Sequence, residues 1–231
     1  MNRPDSRPNR RLLPIALLVL PLASGGHALA QPAPQGWYVD LLGGASVPGS
    51  VSATRVGAGS PDARGDLDTR PGLLAGGAIG YRLAPDWRVE AEVAYRSNTV
   101  RSVTVAGLDR APGDADLASL VFMVNGYHDF APIQASFATF RPYLGVGIGM
   151  AQEVDTDLRA GGTPIEFSGD RPAWQLLAGV KWQYASRWTA GLGLRYLDAG
   201  TVAMTADRAA GGTLRTRYRG LAVTASLGWQ F

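Results

Sequence analysis

Cysteine is missing from all 231 residues, which rules out a disulfide framework and any thiolate metal site. Histidine is almost missing too, with only His27 and His128. Acid–base and nucleophilic relays normally need a histidine or an activated equivalent, so a catalytic reading starts short of material. After residue 30 no stretch approaches 18 uninterrupted apolar residues, which excludes a membrane-spanning helix there. An excess of one charge is absent as well. Residues 1–30 carry four arginines and one aspartate, so the chain's 22 basic and 19 acidic residues fall to 18 of each beyond them. The net charge of +3 belongs to that segment, and nucleic-acid binding gains no support.

The N-terminal segment reads as an export signal. Arg10 and Arg11 precede the apolar run Leu12–Leu22, and Ala28-Leu29-Ala30 offers small residues for cleavage before Gln31. A charged start, a short apolar middle and an A-x-A site describe a secretory signal peptide. A membrane anchor would need about 20 apolar residues, whereas Pro14 and Pro21 interrupt this run. The expected division is a signal peptide over 1–30 and one domain over 31–231.

What remains is alternation. In Leu221–Phe231, Leu221, Val223, Ala225, Leu227, Trp229 and Phe231 share one face, while Ala222, Thr224, Ser226, Gly228 and Gln230 share the other. Period two is what a strand needs when its faces meet different solvents. Seven more segments behave alike: Gly36–Val47, Gly72–Leu83, Trp87–Asn98, Asp116–Phe130, Phe140–Gln152, Pro172–Tyr184 and Arg187–Ala199. Their connections alternate between short ones (Ala84-Pro85-Asp86, Ala185-Ser186) and long polar ones near 48–71, 99–115, 153–171 and 200–217. Ala131–Thr139 is intermediate. Tilted strands of about 10 residues cross a bilayer, with short turns on the periplasmic side and long loops outside. The pattern predicts an all-β fold, an eight-stranded antiparallel transmembrane up-and-down β-barrel, with both termini periplasmic.

The aromatics agree. Trp37, Tyr81, Trp87, Phe130, Phe140, Trp182, Tyr184, Trp188, Trp229 and Phe231 cluster at the short-turn ends, and Tyr95, Trp174 and Tyr196 at the other ends. By parity they face lipid, as interfacial girdles do. Parity also turns Asp40, Arg82, Arg88, Glu90, Glu92, Arg96, Lys181 and Arg195 inward. Gly145, Gly147, Gly149, Gly191 and Gly193 are expected to leave room for the long arginines. An eight-stranded barrel is just wide enough for side chains to fill. A salt-bridged plug is therefore favoured over an ion path or a catalytic carboxylate pair.

Candidate chemistry is thin. His128, in Asn125-Gly-Tyr-His-Asp-Phe130, has no serine within two residues and reads as an interfacial polar side chain. Glu153, Asp155 and Asp157 alternate on one face as their segment ends; such carboxylates suit a hard cation such as calcium, or simply a solvated loop base. Gly43-Gly44 and Gly76-Gly77 precede no helix and cradle no phosphate. No catalytic, cofactor-binding or metal residue is assigned, and no cofactor. The long connections hold Arg55, Arg64, Arg70, Arg101, Arg110, Arg208, Arg215 and Arg217 among many aspartates. Binding specificity is usually placed on such segments.

Gly36-Trp-Tyr-Val39, Trp87-Arg-Val-Glu-Ala-Glu-Val-Ala-Tyr95, Pro142-Tyr-Leu-Gly-Val-Gly-Ile-Gly149 and the terminal Phe231 resemble small outer-membrane β-barrel proteins of the opacity-protein and outer-membrane-protein-A-like superfamily. The likeness spans residues 31–231. It implies a porin-family or adhesin-like protein of a Gram-negative envelope, placed by the barrel-assembly machinery. Outer-membrane lipid and lipopolysaccharide are then partners, and the long loops would meet host surface molecules. Unlike longer members, no periplasmic peptidoglycan-binding domain is expected after the barrel. The expected role is non-enzymatic: envelope integrity and loop presentation for adhesion. The alternatives are a narrow channel for small solutes or hydrophobic molecules and, behind it, a lipid A-modifying enzyme.

Overall fold

The computed structural model describes residues 35–49, 51–57, 60–103, 109–110, 116–136, 138–160, 163–168, 170–183, 185–206 and 213–231. The segment expected to be a signal peptide, 1–30, lies outside them, as do Tyr184 and Arg208. In chain order the strands are β1 (Gly36–Pro48), β2 (Val51–Gly57), β3 (Ser60–Thr69), β4 (Gly72–Ala84), β5 (Trp87–Val103), β6 (Asp109–Arg110) and β7 (Asp116–Asp129). They continue as β8 (Ile133–Gln134), β9 (Thr139–Ala160), β10 (Thr163–Ser168), β11 (Arg171–Gln183), β12 (Trp188–Ala206) and β13 (Thr213–Gln230).

Eight of them make a closed wall. Antiparallel pairing runs β1–β4–β5–β7–β9–β11–β12–β13, and β13 returns to β1, with Tyr38 opposite Gln230 and Val47 opposite Leu221. Closure leaves no strand edge, so backbone N–H and C=O groups are satisfied inside the wall, as hydrocarbon requires. The tight connection at Pro85-Asp86 lies at one end, hereafter the turn end. The small β8 strand, paired to the start of β9, shares that end.

At the other end the fold departs from the expected loops. Much of 48–71, 99–115, 153–171 and 200–217 is strand. β5, β9, β12 and β13 run 17, 22, 19 and 18 residues, well past the apolar band. Where β1 and β4 stop, the β2–β3 hairpin takes their place between β13 and β5. Where β11 stops, β10 fits between β9 and β12. The physical reason is a continuing ladder: a strand leaving the membrane still presents a row of N–H and C=O groups to satisfy. Val51-Ser-Ala-Thr-Arg-Val56 and Thr213-Leu-Arg-Thr-Arg217 carry β-branched Val and Thr, which suit strands that accept them. The result is a crown of sheet rather than four loops. Glu153, Asp155 and Asp157 fall on the crown part of β9, and their side chains lie outside the described ones. Among the described residues no cluster of His, Asp or Glu is grouped to hold a metal.

The two faces sort as alternation predicts. Outward lie Leu41, Ile79, Val93, Val124, Leu144, Ile148, Leu176, Leu194 and Val223, all exposed large apolar side chains. Aromatic contacts mark the turn-end rim: Trp37 on Tyr81, Phe140 on Trp182 and Trp188 on Trp229. At the crown-side rim Trp174 packs on Tyr196, ring centroids 5.5 Å apart.

Candidate functional site

All eight inward charges named from parity do point into the lumen; seven of them fall near the turn end or in a bridge across the middle, and Arg96 stands apart. Near the turn end Arg88, only 1% exposed, lies between two carboxylates. Its Nη1 donates to Glu90 Oε1 at 2.5 Å and its Nε to Asp129 Oδ1 at 3.0 Å. Arg82 Nη1 donates to the same Asp129 at 2.7 Å. The Tyr38 hydroxyl donates to Glu90 Oε1 at 2.7 Å, and Lys181 pairs with Asp40. The Arg88 guanidinium lies 3.8 Å from the Tyr127 ring centroid and 4.9 Å from that of Tyr143, a cation–π setting for a desolvated charge.

A second group crosses the middle. Gln175 Nε2 donates to Asn125 Oδ1 at 2.8 Å, and Asn125 Nδ2 to Glu92 Oε2 at 2.9 Å. Arg195 Nη1 donates to Glu92 Oε1 at 2.5 Å and its Nε to Thr224 Oγ1 at 3.4 Å. This bridge joins β11, β7, β5, β12 and β13, opposite sides of one wall, through buried groups. Buried charges persist when paired and hydrogen-bonded, and here each carboxylate meets a fixed cation.

Two details differ from the sequence reading. None of the named interior glycines makes room for an arginine: Gly145 and Gly193 leave space for tyrosines, Gly147 for Asn125 and Gln175, and Gly149 for Met123. A Cβ on Gly145 would sit 2.5 Å from the Tyr127 ring, and one on Gly193 would sit 2.6 Å from the Tyr143 hydroxyl. The arginine stacks on those rings instead of filling the space directly. The lumen is also not polar throughout. Leu42, Leu74 and Ala222 form a buried apolar cluster toward the crown, with Leu177, Leu197 and Met123 also buried and inward by parity. Arg96 stands in this half, 2% exposed, its Nε without a partner. Beyond it the hydroxyls of Ser119 and Tyr218 meet at 2.6 Å.

A wall closed on itself, apolar outside and ion-paired inside, matches one family over residues 15–231, described as the outer membrane protein beta-barrel domain. The chain belongs to that family. Among solved structures, the outer membrane protein OprG from Pseudomonas aeruginosa is similar with a TM-score of 0.65 and 16% identity, over 85% of this chain and 96% of that one. The outer membrane protein AlkL, solved by solid-state NMR in lipid bilayers, is similar with a TM-score of 0.51 and 13% identity, over 90% of this chain and 97% of that one. Both likenesses are of fold alone. No curated protein matches. Family membership makes this an integral outer-membrane β-barrel.

Sequence reasoning missed Asp129. The signal was present, because Asn125, Tyr127 and Asp129 share the inward parity of β7. His128 itself points outward in the turn-end girdle, its ring 4.8 Å from Trp87 and 4.9 Å from Phe130 between centroids. Its buried Nδ1 has no hydrogen-bond partner. The ring therefore acts as an aromatic packing element. His128→Ala is expected to cost about 0.5–1.5 kcal/mol, the worth of such ring contacts, and His128→Phe to restore it. Urea unfolding in lipid vesicles measures both, and a phenylalanine variant no better than alanine would contradict the assignment.

Proposed function

We propose that the chain is a non-enzymatic outer-membrane barrel with a closed lumen, which supports envelope integrity and presents its crown for adhesion to host molecules. The observation that carries this reading is the bridge Gln175–Asn125–Glu92–Arg195–Thr224 across the bore. A lumen crossed by ion-paired side chains resists the hydration a conducting pore needs. The short-turn rule for bacterial barrels supports a periplasmic turn end, which also holds Gly36 and Phe231, and a crown facing outward. Residues 1–30 then serve as the export signal, and the aromatic last strand as the feature read by the assembly machinery. The rigid wall under β2, β3 and β10 suits presentation.

Planar-bilayer recording is expected to show no steady conductance for the native chain. A steady conductance retuned by Glu92→Gln would replace this reading with a narrow channel. The buried layer of Leu42, Leu74 and Ala222 favours passage of a hydrophobic molecule as the second reading; faster uptake of an apolar dye by expressing cells would establish it. Trimming β2–β3 is expected to abolish adhesion, and unchanged adhesion would remove the presentation half.

A further inference from the structure

Girdle-to-girdle spacing is eight residues on three strands: Trp87 to Tyr95 on β5, Trp182 to Trp174 on β11 and Trp188 to Tyr196 on β12. At about 3.4 Å per residue and a tilt of about 40° this is about 21 Å of membrane normal, close to the roughly 25 Å apolar band of such barrels. The same count from Trp229 on β13 reaches Leu221. The next outward positions past the girdle are Val47 on β1, Ser97 on β5, Ala118 on β7, Met150 on β9, Pro172 on β11, Asp198 on β12 and Arg219 on β13. Arg219 is the one cation among them, and the following outward residues on β13 are Arg217 and Arg215. At the level where lipid headgroups begin, the described outward positive charge gathers on one strand.

These side chains are held in place. Arg219 stands opposite Asp198, and its stem lies over Gly49, where a Cβ would meet Arg219 Cγ at 3.2 Å. The Gly49 amide donates to the Arg219 carbonyl at 2.9 Å. Asp198, 5% exposed although it points outward, accepts from Arg217 Nη2 at 3.3 Å, from the Tyr196 hydroxyl at 3.3 Å and from the Gly200 amide at 2.7 Å. The last bond closes a bulge in which Gly200 adopts φ +66°, a conformation glycine reaches without steric cost. One carboxylate thus anchors Arg217 while leaving its side chain 56% exposed. The Trp174–Tyr196 pair adjoins it, and Leu221, Leu194 and Val223 continue below as apolar wall.

We propose that Arg217, positioned by Asp198, and Arg219, seated over Gly49, form a binding site for the phosphate of a phosphorylated outer-leaflet glycolipid, with lipid A as the chemical type. Guanidinium forks grip phosphate in bidentate fashion, a buried aspartate fixes one fork, and the apolar wall beneath receives acyl chains. Arg215, one step higher, adds attraction. The biological placement rests on the outward crown proposed above; the affinity does not.

Native mass spectrometry of the detergent-solubilised full chain with added lipid A tests the site. A bound adduct is expected, weakened about tenfold by Arg217→Gln or Arg219→Gln, since charged hydrogen bonds lost singly are of that size. Asp198→Asn is expected to weaken it by releasing Arg217. Arg70→Gln, at an exposed position on the same rim, is expected to leave binding unchanged, and a heat-modifiable gel shift confirms that each variant folds. Equal binding of lipid A stripped of its phosphates, or an equal loss in Arg70→Gln, would overturn the proposal. Trypsin treatment of intact cells reports the crown's orientation separately, so failure of that reading is distinguishable from failure of the site.

Discussion

Glu92→Gln is expected to destabilise the barrel by about 3–5 kcal/mol, the cost of removing one partner from a buried ion pair. Glutamine keeps the shape and can still accept from Asn125, so the loss isolates charge. Arg195 is the reason for the size. It is 5% exposed, donates to Glu92 at 2.5 Å and cannot shed its proton within a protein, so it would remain charged with no counter-ion in reach. The reverse variant, Arg195→Met, is expected to cost less, because a stranded carboxylate can take up a proton and become neutral. Combining the two should recover most of the loss, since replacing a whole buried pair is often close to neutral. Urea unfolding in vesicles, read by tryptophan fluorescence, gives the cycle. A coupling below about 0.5 kcal/mol would mean the pair does not hold the lumen together.

Leu144→Arg is expected to cost about 2–4 kcal/mol, the penalty for arginine on the lipid face at the bilayer midplane. The register places it there. On β9, Phe140 is opposite Trp182 and Ile148 opposite Trp174, the two girdles, and Leu144 opposite Ala178 lies halfway. Its 54% exposure would make the same substitution almost free in a water-soluble sheet, where surface changes are usually within about 0.5 kcal/mol. The result therefore separates a lipid-facing wall from a solvated one. A cost below about 0.5 kcal/mol in vesicles would contradict the band, and Gln152→Arg, beyond the girdle, is the matched control.

Much of this was legible because period two is a local property. Each residue of Trp87-Arg-Val-Glu-Ala-Glu-Val-Ala-Tyr95 declares its side of the wall from its neighbours alone, so the inward charges and the aromatic rims could be placed without coordinates. Pairing was not legible. Glu92 and Arg195 are 103 residues apart in sequence, and which cation meets which carboxylate depends on the stagger of strands around a closed wall. Asp129 shows the same limit: parity turns it inward, but only the register sets it between Arg82 and Arg88. The crown was misjudged for a related reason. Segments such as Val51–Gly57 are too short and polar to read as membrane strands, and become strands because β13 and β3 offer unpaired ladders beside them.

The alternation of side chains, the rims and the set of buried charges were determined by the amino-acid order itself, since each follows from which of two solvents a residue must meet. The identity of the ion pairs, the extension of the wall into a crown and the seat of Arg217 on Asp198 were decided only on closure, because they join residues that nothing but the stagger of the strands brings together.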